Sequence, residues 1–230
     1  MSERIHKLFT EYHSRYDWAN RLYSLGIDNY WRKEAVGEAL EAGGKIKLLD
    51  IATGTAELAI MASAEASALN KPIEITGIDF NDSMLEAGRK KVLDRGIRNI
   101  RLLHGDALAM GFASSSFDVA TCAFALRNFD NLEAFFKELR RILRKGGKFV
   151  ILEMGNPDSL VQRAIFQFYF GILMKPVGYA IGKDAYGWLL YSITHFDKYG
   201  AVRMLKQAGF KKVKVRNLVS GVGFLITGIK

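Results

Sequence analysis

The 230-residue chain is predicted to fold as an α/β protein built on one doubly wound, mainly parallel sheet. Three observations predict it. Short apolar runs recur and end in acids at Asp50, Asp79 and Asp106, helical stretches separate those runs, and the first run leads into a loop of small residues, Ala52, Gly54 and Ala56, ahead of a helix.

Taken in order, residues 1–45 read as helical, with breaks at Gly26, Gly43 and Gly44. Strands follow at 46–51, 73–79 and 99–103, the third running into His104, Gly105 and Asp106. Two more are expected at 117–122 and 148–153, flanking an amphipathic helix at 132–144. Residues 157–181 have a different texture: Phe166, Phe168, Tyr169 and Phe170 crowd together, but Gln162, Arg163, Gln167, Lys175 and Pro176 interrupt the run. It falls well short of the ~20 apolar residues of a membrane span. It is expected to pack as a cap over the crevice, or to present an aromatic face to a greasy ligand or a bilayer surface. A helix at 198–207, stopped by Ala208 and Gly209, and strands at 213–218 and 223–227 close the chain. The result is a Rossmann-like sheet of seven strands with the last antiparallel, an N-terminal helical lid and a helical insertion before the sixth strand. Ligands of such sheets sit beyond the carboxyl ends of the strands, where the three acids lie.

Composition narrows the function classes. Hydrophobic residues are 49% and charged residues 25% of the chain, which suits a folded globular body. Thirty-three Lys and Arg against 24 Asp and Glu leave a net charge of +9, with local groups at Arg140, Arg141, Arg144, Lys145 and at Lys211, Lys212, Lys214, Arg216. Such charge suits nucleic acid or anionic lipid. Neither zinc-finger spacing nor the aromatic-basic signature of an RNA-binding module accompanies it, so nucleic acid is not the expected partner. Cys122 is the single cysteine, which rules out an internal disulfide or a cysteine metal cluster, and no metal is expected. Without a signal-peptide pattern behind Met1, a reducing cytoplasm is the expected compartment.

The loop from Asp50 to Glu57 lets a ligand approach the backbone closely, yet it lacks a phosphate-cradling glycine pattern and a Walker lysine. Asp79 is placed to accept hydrogen bonds from both hydroxyls of a ribose. Asp106 is placed to receive the amino group of an adenine, and Met84 to pack on its ring. An adenosine is implied. Asp82, with Ser83 and Glu86 behind it, is read as a helix cap.

Further marks run nearly the length of the chain: Tyr16, Asp17 and Asn20; Ser24, Leu25 and Gly26; Trp31 and Arg32; Gly54 and Thr55; Gly105, Asp106 and Ala107; Phe124 through Asn128; Lys145, Gly146 and Gly147, with Glu153 beyond; Ser192 and Ile193; Asn217 and Leu218; and Ser220, Gly221 and Val222. On these residues the sequence resembles class I S-adenosylmethionine-dependent methyltransferases, and more closely the ubiquinone/menaquinone biosynthesis C-methyltransferases. The resemblance implies C-methylation of a polyprenylated hydroquinone, demethylmenaquinol or a similar precursor, with S-adenosylmethionine as cofactor. It implies one domain over 1–230: a lid at 1–45, a cofactor-binding core at 46–153, a substrate cap at 154–195, and closing elements at 196–230. Cofactor contacts are expected from Thr55, Asp79, Asp106, Ala107 and Ala123, together with Asp50, Ala52, Gly54, Phe80 and Met84.

For the chemistry, Arg127 is expected to support a phenolate, directly or through a water, with Asn128 orienting the same region. Asp17 is read either as a proton acceptor or as a residue that only fixes the helix entry, and Tyr16, Asn20 and Phe124 as the substrate contacts. His195 is read as structural. Departures from the family pattern are Ala56 for a glycine, Glu57 for an aspartate, Ala123 for a hydroxyl residue, a shorter stretch over 184–188, and Tyr191 where an acid is common. A lipophilic quinol partner and peripheral contact with an anionic membrane are expected, and the reading leaves room for a homodimer. Two other functions stay open: the same chemistry on another aromatic acceptor at carbon, oxygen or nitrogen, and a non-catalytic cofactor-binding scaffold.

Overall fold

The computed structural model describes residues 21–218 and 221–230. Seven strands, β1 (Ile46–Ile51), β2 (Ile73–Asp79), β3 (Ile100–His104), β4 (Phe117–Ala123), β5 (Leu143–Met154), β6 (Lys211–Asn217) and β7 (Gly223–Ile229), form one sheet in the order β3-β2-β1-β4-β5-β7-β6. Strands β1 to β5 pair in parallel, and β7 runs antiparallel to both β5 and β6. The chain builds outward from β1 through β2 to β3, then returns to place β4 on the other side of β1. That reversal opens a crevice at the carboxyl ends of β1 and β4.

Residue choice follows position in the sheet. Strands β1 and β4, covered on both faces, are buried at almost every residue, which is why they read as continuous apolar runs. The edge strand β6 is mostly exposed, and its Lys211, Lys212, Lys214 and Arg216 discourage pairing with another chain. Arg216 also reaches Glu34 at 2.6 Å, so the basic group seen in the sequence is a solvated edge.

Helices α1 (Ile27–Ala39), α2 (Glu57–Ala68) and α3 (Asp82–Asp94) pack one apolar layer against the sheet through residues such as Trp31, Leu58 and Leu85. Helices α4 (Leu132–Ile142) and α7 (Lys198–Gln207) pack the other, through Phe135, Phe136, Leu139 and Leu205. Between β5 and α7 lie α5 (Leu160–Phe168), a π turn (Tyr169–Leu173) and the long α6 (Lys175–His195), whose backbone leaves helical geometry at Gly182. Phe166, Phe170, Met174 and Tyr186 turn inward, whereas Leu160, Val161, Ile165, Phe168, Ile172 and Leu173 are exposed. Among the described residues no helix is long and apolar enough to cross a membrane.

Three local expectations change. Helix α4 ends at Ile142 because Leu143 turns to extended geometry and starts β5, ahead of the expected start at residue 148. Strand β6 starts two residues earlier than expected, at Lys211, and stops one earlier, at Asn217, while β7 runs two residues further, to Ile229. The cap of α3 is Asn81, whose side chain accepts the Met84 amide at 3.1 Å, while Asp82 is the first helical residue and pairs with His104 at 3.0 Å.

Candidate active site

A cleft of about 720 Å³, measured out to its open mouth, lies at the carboxyl ends of β1, β2 and β4 under α1. At its base Asp50 is fully buried: Thr121 Oγ1 donates to one carboxylate oxygen at 2.7 Å and Thr53 Oγ1 to the other at 2.6 Å. Burial raises its pKa to about 6 against the pull of those hydroxyls. Asp79, at the end of β2, accepts the amides of Gly54 at 2.8 Å and Asn81 at 2.9 Å, and burial outweighs these bonds to raise its pKa as well. The two acids thus tie the β1 loop to both neighbouring strands.

The loop's shape follows from its small residues. Ala52, Gly54 and Ala56 adopt left-handed φ of 53°, 55° and 65°, and a side chain built at Gly54 would meet nothing within 4 Å. Across the cleft Phe124, at φ 58°, turns the chain out of β4 into the 3-10 turn Leu126–Asn128. Asn128 is buried and accepts the Trp188 indole N–H at 3.0 Å, which links this turn to α6.

Of the residues expected at the site, Asp50, Ala52, Gly54, Thr55, Asp79, Phe80, Met84, Ala123, Phe124 and Asn128 line this cleft. Asp106 and Ala107 do not. Asp106 is exposed and closes its own turn by accepting the Leu108 amide at 2.9 Å, while Ala107 is buried in the apolar layer with α4 and α7. The Arg127 guanidinium is bound to the Glu153 carboxylate, with the Ser192 hydroxyl at 3.1 Å and the Phe124 carbonyl at 3.1 Å. It lines a separate hollow with Trp188, Tyr191 and His195. His195 lies over the Tyr191 ring at 4.2 Å and bonds the Tyr191 carbonyl at 2.9 Å, in keeping with a structural role. Tyr16, Asp17 and Asn20 lie outside the described residues.

The cleft also holds residues that had no assigned role. Arg32 and Asn81 line it, as do Thr53 and Glu57. Arg32 stands four residues after Asp28 on α1, a spacing that announces an ion pair but not the cleft on its other side.

Comparison with known proteins agrees with this architecture. The model of the ubiE/COQ5 methyltransferase family matches residues 1–230. A demethylmenaquinone methyltransferase of Staphylococcus saprophyticus is 37% identical over 99% of this chain and 97% of its own length. One of Staphylococcus haemolyticus is 36% identical over 99% and 94%. Among solved structures, a SAM-dependent methyltransferase from Aquifex aeolicus superposes with a TM-score of 0.61 at 15% identity, covering 86% of this chain and 88% of that one. The cyclase SpnF gives 0.65 at 15% identity over 86% and 80%, so the shared architecture speaks for fold and leaves the reaction to the sequence relatives. With a family match along its whole length and relatives above one third identical, the chain belongs to the ubiE/COQ5 methyltransferase family.

Proposed function

We propose that this enzyme transfers a methyl group from S-adenosylmethionine to a ring carbon of a polyprenylated hydroquinone, demethylmenaquinol or a close relative. The observation that carries this reading is the cleft itself, where Asp79 and a loop with open space above Gly54 face an opening at the carboxyl ends of β1, β2 and β4. The donor set fits such a cofactor. Carboxylates accept from hydroxyls and amines, Met84 and Phe80 offer soft and aromatic surface, and Arg32 offers a positive charge. The family relatives named for demethylmenaquinone support the acceptor class.

When bound, S-adenosylmethionine supplies a methyl group on a positively charged sulfur. The protein has then to hold the ring carbon in line with that group, keep water out and favour the phenolate that makes the carbon nucleophilic. The methyl group would pass to the ring carbon and leave a neutral thioether, and the proton that carbon gives up would return to the phenolate oxygen, so that the phenol proton is the one released. Asn128 and Phe124 line the acceptor side of the cleft. Arg127, held by Glu153, acts through the turn that carries Asn128 and so is a positioning residue in this reading. Asp17 is assigned the phenol proton on the family resemblance alone.

The acceptor is lipid-soluble, and α5 with the π turn offers a face to meet it. Leu160, Ile165, Phe168 and Ile172 are exposed there, Lys175 and Lys183 flank them, and no acid occurs between Ser159 and Lys183. This face suits peripheral contact with an anionic bilayer. The reaction is tested by incubating the protein with methyl-labelled S-adenosylmethionine and a short-chain demethylmenaquinol. Label on the ring carbon supports the proposal; label on oxygen refutes it.

A further inference from the structure

Arg32 is an under-used cation. It is only 7% exposed and lines the cleft, with the Asp28 carboxylate at 3.7 Å, beyond hydrogen-bond reach, the Phe124 ring 4.9 Å from the guanidinium carbon, and the buried Asp50 carboxylate close enough to feel its charge. Asp28 is itself taken by the Ser24 hydroxyl at 2.7 Å. A guanidinium carries five N–H donors, none of them is among the buried unpartnered atoms of the described residues, and the group lines the cleft, so the side chain is poised for an anion entering there.

The other charges around the cleft sharpen the choice. Asp50, Glu57 and Asp79 are all acids, and Arg32 is the one cation lining the cleft among the described residues. Glu57 is neutralised by Lys91 at 2.5 Å, which leaves Asp50 and Asp79 to disfavour a ligand carboxylate at the β1 and β2 ends and Arg32 to favour it beside α1. An amine or a sulfonium is welcome near the acids. We infer that Arg32 binds the carboxylate of the methyl donor's amino-acid arm, which sets the arm toward α1 and the nucleoside toward Asp79 at the end of β2. Arginine's planar fork matches a carboxylate in two parallel hydrogen bonds. Phe124, packed beneath the guanidinium, also begins the segment that leads to Asn128, so the arm abuts the acceptor side of the cleft.

This inference rests on the proposed donor, and calorimetry separates the two. Wild-type protein is titrated with S-adenosylhomocysteine and with its decarboxylated counterpart, which differ only in the carboxylate. The carboxylate-bearing ligand should bind at least ~10-fold tighter, the scale expected of a charge-assisted pair. Arg32→Gln should weaken S-adenosylhomocysteine by roughly 10- to 100-fold and leave the decarboxylated ligand within about twofold, with Arg32→Lys between them because it keeps the charge without the fork. Equal losses for both ligands, or wild-type protein indifferent to the carboxylate, would overturn the inference while leaving the donor reading intact. Unchanged affinities with turnover restored at higher pH would reassign Arg32 to the acceptor's phenolate and also overturn it. If wild-type protein binds neither ligand, the donor reading itself fails.

Discussion

Glu153, at the end of β5, holds Arg127 in a buried ion pair and also accepts the backbone amides of Arg127 at 3.2 Å and Met154 at 2.8 Å. One carboxylate thereby fixes both the side chain and the backbone of the segment that carries Asn128. Removing its charge leaves a buried guanidinium without a counterion, so Glu153→Gln should cost about 3–5 kcal/mol in urea denaturation. The paired replacement Arg127→Leu with Glu153→Leu should cost less than the sum of the single changes, because neither charge is then stranded.

A second expectation concerns pH. Asp50 titrates at about 6 in the folded protein, against 3.8 for the ordinary group, so folding favours its protonated form. Its contribution to stability is therefore full below about pH 4 and is lost as pH rises through 6. Asparagine mimics the protonated acid and does not titrate. Relative to wild type, Asp50→Asn should gain about 2–3 kcal/mol between pH 4 and pH 7.5, the equivalent of two pH units at ~1.4 kcal/mol each. A flat difference across that range, measured by denaturation at each pH, would contradict the assignment.

Gly77 sits opposite Asp50 in the β1–β2 pairing and beneath Thr53. A methyl group there would lie 2.6 Å from Leu102 Cδ2 and 2.9 Å from Thr53 Oγ1. Gly77→Ala should therefore destabilise the fold by about 1–3 kcal/mol and, by displacing the hydroxyl that holds Asp50, loosen S-adenosylhomocysteine binding. Calorimetry on the folded variant checks the second effect separately from the first.

The exposed face of α5 and the π turn gives a fourth. Full-length protein should co-sediment with vesicles of phosphatidylglycerol and less with phosphatidylcholine, and Ile165→Asp with Phe168→Asp should abolish the difference while methylation of a short-chain quinol persists. A wild-type protein that ignores both vesicles would contradict membrane contact. If the substitutions instead split a dimer, the face is a self-association surface.

Much of the frame was legible in the sequence because parallel strands buried on both faces announce themselves as short apolar runs. Asp50 and Asp79 could be placed at strand ends, and the loop between them at a cleft, from spacing alone. What escaped depends on distance along the chain. Twenty-six positions separate Arg127 from Glu153, and sixty separate Asn128 from Trp188, so neither partnership leaves a local pattern. At Asp106 the sequence did not show that the acid after the strand also serves its own turn, as its bond to Leu108 shows. Arg32 stood in a recognisable pair with Trp31, but a helical residue's second face is set by what packs over it.

Ala52 and Phe124 on the cleft wall, and the buried Ala56 at the end of the same loop, all hold left-handed backbone, a geometry that costs a residue with a side chain roughly 1–2 kcal/mol. Glycine at position 56 would relax that tension and also give the segment many shapes to wander among when nothing is bound. The alanine keeps the receptacle in outline beforehand, so capture of a guest demands little rearrangement. Evolution toward an easier-folding chain would therefore tend to blunt its grasp.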